Sequence, residues 1–146
     1  MGLYVSERVK QTLDSVSARY GKAFPALVQQ PYPRKLRAEV PPRFFQITGE
    51  FGAKLDFAAS GYRIKSTCPS CGNIKVDHLS TPRADRLVDG SWTGSDIFYT
   101  DLSPGRLFCS SRILALAGVN RWSNFRFLTL DDSHNYGHKG IDYLKN

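Results

Sequence analysis

Tyr62-Arg63-Ile64-Lys65-Ser66-Thr67-Cys68-Pro69-Ser70-Cys71-Gly72-Asn73-Ile74-Lys75-Val76 lies near the middle of a chain of 146 residues. Apolar and polar residues alternate on both sides of Cys68-Pro69-Ser70-Cys71-Gly72, as they do along strands. Strand, CPxCG, strand is the form of a zinc-ribbon hairpin, in which the glycine permits a tight turn and the two thiols face one point. Residues 62–77 are therefore expected to form a β-hairpin with the knuckle at its tip. A tetrahedral zinc takes four ligands, and this knuckle supplies two. The chain has no second CxxC. Two readings stay open: Cys68 and Cys71 hold zinc with two further ligands, or the knuckle is an unmetallated turn with two reduced thiols. His134 and His138, spaced H-x3-H, suit a Cys2His2 site, and His78 is a third candidate histidine. A redox CxxC normally opens a helix, whose N-terminus lowers the thiol pKa. Strand-like flanks argue against that chemistry here.

Outward from the hairpin, the two ends of the chain echo each other. Leu3-Tyr4-Val5 reads as a strand, Ser6 as an N-cap, and Glu7 as the first-turn carboxylate that a helix dipole favours. Val9, Leu13 and Val16 recur at helical spacing, Tyr20 extends the stripe, and Gly21 is the expected stop. Phe24 to Val28 is the next strand. Leu107-Phe108-Cys109-Ser110-Ser111-Arg112-Ile113-Leu114 lines up with Leu3-Tyr4-Val5-Ser6-Glu7-Arg8-Val9-Lys10, and six of the eight pairs are identical or similar. Ile113, Leu116 and Ala117 continue as a helix stripe, with Gly118 as its expected stop and Phe125 to Leu130 as the closing strand. Between the copies, Gln29 to Arg43 carries four prolines and reads as an extended crossing. Phe44 to Thr48, Lys54 to Ala58 and Asp96 to Tyr99 read as short strands.

The expectation is a single α+β domain over residues 1–146. Two strand-helix-strand units, 3–28 and 107–130, flank the knuckle hairpin in a mostly antiparallel arrangement, and a polar tail covers 131–146. Val5 and Cys109 should be equivalent and buried, since a free cysteine behaves as a small hydrophobe.

The chain is 41% hydrophobic, which suffices for a core, and no run approaches the ~18 apolar residues of a membrane span. No apolar stretch of signal-peptide type opens it. Met1-Gly2-Leu3-Tyr4-Val5-Ser6 fits a myristoylation pattern but reads better as a strand. Three cysteines, two of them in CxxC, favour a reducing cytoplasm over a disulfide scaffold. The net charge of +7 suits an anionic partner, either nucleic acid or an acidic protein face. No nucleophile elbow, HExxH or phosphate loop is present, so an enzyme is not expected. Tyr32, Arg34, Lys35, Arg37, Trp92 and Tyr99 are the partner-binding candidates, because tryptophan, tyrosine and arginine dominate interface hot spots.

The order Leu-Tyr-Val-Ser-Glu-Arg before a helix, a CPSCG knuckle, Asp96-Ile97-Phe98, then Leu-Phe-Cys-Ser-Ser-Arg before a second helix resembles the double-CXXCG motif proteins of myxobacteria and their relatives. Those are similar to immunity proteins that sit beside secreted polymorphic toxins. The match spans roughly residues 3 to 130, and this chain keeps one CxxCG where the family has two. The resemblance implies neutralisation of a cognate toxin by direct binding and transfers no catalytic residue. A zinc-ribbon module that binds nucleic acid is the competing expectation.

Overall fold

The computed structural model describes residues 2–26, 43–78, 84–123, 125 and 127–131. Among them the fold is α+β, with two helices and eight strands in mostly antiparallel sheets. β1 (Leu3–Ser6) leads into α1 (Glu7–Ser15), followed by β2 (Ala23–Ala26), β3 (Phe44–Ile47) and β4 (Glu50–Ala53). The hairpin of β5 (Tyr62–Thr67) and β6 (Ile74–His78) comes next, then β7 (Ile97–Thr100), β8 (Ser103–Cys109) and α2 (Ser111–Val119). Two three-stranded sheets, ordered β1-β3-β2 and β4-β7-β8, share one core, and β5-β6 stands as a separate two-stranded sheet. Among the described strands, only β4 and β7 run parallel. No helix among the described residues is long and apolar enough to cross a membrane.

The core is built from both ends of the chain. Val5, Val9, Leu13 and Ile47 meet Ile97, Ile113, Ala117 and Trp122 in one buried cluster. The first helix buries Val9 and Leu13, and the second buries the positions that align with them, Ile113 and Ala117. Their N-caps have nearly the same backbone: Ser6 at φ −69, ψ 161 and Ser110 at φ −70, ψ 159. The side chains then differ. Ser6 Oγ accepts from the Val9 N–H, while Ser110 Oγ donates to Asp96 Oδ1 at 2.6 Å.

Both helices end in the same motif, and neither end falls at the expected glycine. The first stops at Ser15, not at Gly21: Ser17 takes φ +50, its N–H bonds Asp14 O at 2.9 Å, and the Ala18 N–H bonds Leu13 O at 2.9 Å. In the second copy Arg121 takes φ +49, its N–H bonds Gly118 O at 3.2 Å, and the Trp122 N–H bonds Ala117 O at 2.9 Å. This is a Schellman cap in each copy. The left-handed position usually goes to glycine; here serine and arginine hold it, so no residue type marks the stop at either site. Gly118 lies inside the second helix, which runs on to Val119. Gly21 instead permits close approach to the β3–β4 turn. Its N–H bonds Thr48 O, and a Cβ there would lie 2.5 Å from Gly49 O. Tyr20 leaves the helix and donates its hydroxyl to Asp14 at 2.7 Å.

The repeat fades after the caps. The first unit continues into β2, but the described part of 123–131 contains no strand. Phe125 stacks on Phe127 and tilts against Trp122, at centroid distances of 6.2 and 5.6 Å. Aromatic packing onto the core thus takes the place of ladder pairing. Cys109 corrects a second expectation. It is exposed, whereas Val5 is 2% exposed. Cys109 pairs with Ile97 on the edge strand β8 and lines a surface pocket of about 130 Å³ with Ser110, Leu114 and Phe127 to Thr129. Those walls desolvate the thiol and push it up to about 11. The strand expected at Lys54 to Ala58 reduces to a single bridge, Leu55 to Leu87, and residues 57–60 form a turn.

Candidate functional site

The hairpin forms as its alternation demands. Register runs from Tyr62↔His78 at the base to Thr67↔Ile74 at the tip, with an irregularity between Ile64 and Ser66. Cys68-Pro69-Ser70-Cys71-Gly72-Asn73 closes the turn. Cys68 N–H bonds Asn73 O at 2.8 Å, Gly72 N–H bonds Cys68 O at 2.9 Å, and Gly72 takes φ +69 in open space. The left-handed glycine is therefore what allows the loop to fold back beneath the cysteines. Cys68 Sγ lies 3.1 Å from Ser70 Oγ. Hydrogen bonds from the Ser70 side chain, the Cys71 side chain and the backbone of Cys71 and Ser70 lower the Cys68 thiol to about 6. The donor chemistry suits zinc, which takes cysteine as thiolate. Yet no group of three or more His, Cys, Asp or Glu side chains able to hold a metal ion forms among the described residues. His134 and His138 lie outside those residues. His78 occupies the base of the hairpin, four residues along β6 from Ile74, about 13 Å at ~3.3 Å per residue, which separates it from the knuckle.

The partner-binding candidates divide in the same way. Tyr32, Arg34, Lys35 and Arg37 lie outside the described residues. Trp92 and Tyr99 are described, and Tyr99 pairs with a third aromatic that sequence reading passed over. Phe51 and Tyr99 are register partners on β4 and β7, with rings edge-to-face at 6.2 Å. Trp92 sits on the turn whose Thr93 N–H bonds Gly52 O at 2.8 Å. Trp92 is 53% exposed and Phe51 44%. Polar bonds fix this turn from beneath. Trp92 Nε1 donates to Ser95 O at 3.0 Å, Arg19 Nη1 donates to Thr93 O at 2.6 Å, and the fully buried Ser95 hydroxyl donates to Glu50 Oε1 at 2.5 Å. Arg19 also pairs with Glu50 at 3.3 Å. The large rings are exposed while their backbone is held.

Two buried carboxylates make pairings that sequence reading did not assign. Asp96 accepts from Ser110 Oγ, from Arg112 Nη1 at 3.1 Å and from the Arg19 N–H at 2.9 Å, tying the loop after the first helix to the start of the second. Asp85 is fully buried, 2.5 Å from Arg106 Nη1 and 3.1 Å from the Tyr62 hydroxyl at the hairpin base. Burial raises the Tyr62 pKa. Both carboxylates are paired as a fold requires of buried charge, and neither lines a described pocket. Local composition around Asp85 and Asp96 resembles any polar loop, so only the tertiary partners reveal them.

No family model matches this chain, no curated protein does, and no solved structure does.

Proposed function

We propose that this chain is a cytoplasmic immunity protein that neutralises a bacterial toxin by direct binding and performs no chemistry of its own. The observation that carries the reading is the Phe51–Tyr99 ring pair with Trp92 on the turn hydrogen-bonded beside it, two of these three rings being exposed. Aromatics of this kind are the usual anchors of protein interfaces, and a fixed support lowers the entropy lost on binding. Arg19, exposed beside the cluster, adds a side chain typical of hot spots.

Among the described residues, charge placement fits a protein partner better than nucleic acid. Lys10, Arg19, Arg43, Arg63, Lys65, Arg86, Arg106 and Arg112 each pair with a carboxylate, and these pairs are spread over the described surface. Nucleic-acid binders instead concentrate unpaired cations on one face. The test is co-expression with the polypeptide encoded by the adjacent gene, followed by affinity capture and a growth assay. The reading expects a stable complex and rescued growth, both weakened by Trp92→Ala. Salt-sensitive binding to generic DNA or RNA, with no protein captured, would replace it by the nucleic-acid reading.

A further inference from the structure

We propose that the cavity between the two helical units binds a small uncharged aromatic molecule with one hydrogen-bond acceptor, which the Trp122 indole N–H recognises.

The first argument is the space. A cavity of about 130 Å³ lies in the core, with Leu3 and Val9 of the first unit on one side, Leu107, Ile113 and Trp122 of the second on the other, and Phe125 beyond them. Folded cores hold few voids larger than a water molecule. This one approaches the ~150 Å³ of an engineered apolar cavity that stays dry and takes up benzene. Its lining is aliphatic and aromatic apart from the Cys109 thiol, and none of the lining residues is Asp, Glu, Lys, Arg or His. An ion would lose its hydration there with nothing in return, so the occupant is uncharged.

The second argument is the one polar handle. Trp122 is 4% exposed, and its Nε1 is buried with no acceptor among the described residues. An indole nitrogen only donates, and buried donors are normally bonded. Water fits this wall poorly, because a buried water needs two to four polar partners and the wall offers the indole N–H and a weak thiol. A single ring bearing one carbonyl or ether oxygen meets both demands. Its oxygen accepts from Nε1, and its ring packs against Trp122 and Phe125, whose centroids are 5.6 Å apart.

The third argument is access. Cys109 and Phe127 line both this cavity and the surface pocket beside the second helix. The route inward runs between those two side chains. Phe127 is held there by stacking on Phe125, not by strand pairing.

The experiment titrates the full chain with acetophenone, ethylbenzene and benzoate, and follows the two indole N–H signals by ¹H–¹⁵N NMR. The chain has two tryptophans, and Trp92 Nε1 already donates to Ser95 O, so Trp92 serves as the internal control. Trp92→Phe assigns the signals. Acetophenone should shift the Trp122 signal saturably and leave the Trp92 signal in place. Ethylbenzene has nearly the same shape without the acceptor, and should bind about 5-fold more weakly, the worth of one hydrogen bond. Benzoate should not bind. Trp122→Phe keeps a ring but removes the donor, and should abolish the difference between acetophenone and ethylbenzene. Because the titrations use the native sequence, a misfolded Trp122→Phe protein would leave the test intact. Three results would overturn the proposal: no saturable shift of the Trp122 signal, equal affinity for acetophenone and ethylbenzene, or a shift at Trp92 instead.

Discussion

Arg8 and Arg112 make the same bond in opposite directions. Arg8 Nη2 donates to the carbonyl of Asn120, which caps the second helix, at 3.3 Å, and Arg112 Nη2 donates to the carbonyl of Val16, which caps the first. Asn120 aligns with Val16 just as Arg112 aligns with Arg8. The exchange is what a two-fold axis imposes on an isologous dimer interface, here made within one chain. Each guanidinium also meets the negative end of the other helix, where unpaired carbonyls favour a cation.

The two bonds should differ in strength. Arg8 is exposed and makes one neutral-acceptor bond, so Arg8→Ala should cost about 0.5–1 kcal/mol. Arg112 also pairs with Asp96, whose side chain is 5% exposed, so Arg112→Ala should cost about 2 kcal/mol. Urea denaturation of both single variants and of the double variant measures this. Equal losses would show that the Asp96 pair contributes nothing.

The helix ends offer a stabilising change. Ser17 holds a left-handed conformation that glycine adopts without strain. Ser17→Gly should therefore raise stability by about 0.5–1 kcal/mol, and the melting temperature by ~2–4 °C for a domain of this size. Thermal unfolding followed by circular dichroism checks it. A lower melting temperature would mean that the added freedom of the unfolded chain outweighs the relieved strain.

Much of this architecture was legible because it rests on local physics. The paired Ser-x-Arg starts predicted two helices, the first of them capped by Ser6, and the alternation around the knuckle predicted its hairpin. Helix ends were missed because Ser17 and Arg121 hold positions where glycine is the usual signal. The closing strand expected at Phe125 to Leu130 does not form among the described residues because Phe125 and Phe127 satisfy their apolar surface by stacking, a choice that periodicity does not distinguish from a ladder. Trp92 and Tyr99 were named from residue type, but Phe51 needed the β4–β7 register to pair it with Tyr99.

The thiols should separate by pH. Cys68 is lowered to about 6 by hydrogen bonds led by the one from the Ser70 side chain, and Cys109 is raised to about 11 by desolvation. In metal-free protein, Cys68 is mostly thiolate at pH 7. Its alkylation by iodoacetamide should be near its plateau there and fall as pH drops through 6, while Cys109 stays slow until strongly alkaline pH. Peptide mass spectrometry over a pH series reads both. Faster labelling of Cys109 at pH 7 would contradict the hydrogen-bonding account, and Ser70→Ala should move the Cys68 midpoint upward.

Electrostatics also constrains the partner. A chain with net charge +7 meets a neutral or acidic face with less long-range repulsion than it meets the basic cleft of a nuclease. The association rate with the proposed toxin partner should fall as salt rises. A rate that climbs with salt would place like charges across the interface.

Direct binding through Phe51, Trp92 and Tyr99 is tested most closely by titration calorimetry of the purified chain against the polypeptide encoded by the adjacent gene, the proposed toxin. Native protein, Trp92→Ala and Phe51→Ala would be compared after circular dichroism confirms equal folding. The account predicts a one-to-one complex with the native chain and an affinity at least about 30-fold weaker for Trp92→Ala, a loss of ~2 kcal/mol typical of a hot spot. Unchanged affinity in both variants, or no complex with the native chain, would contradict it.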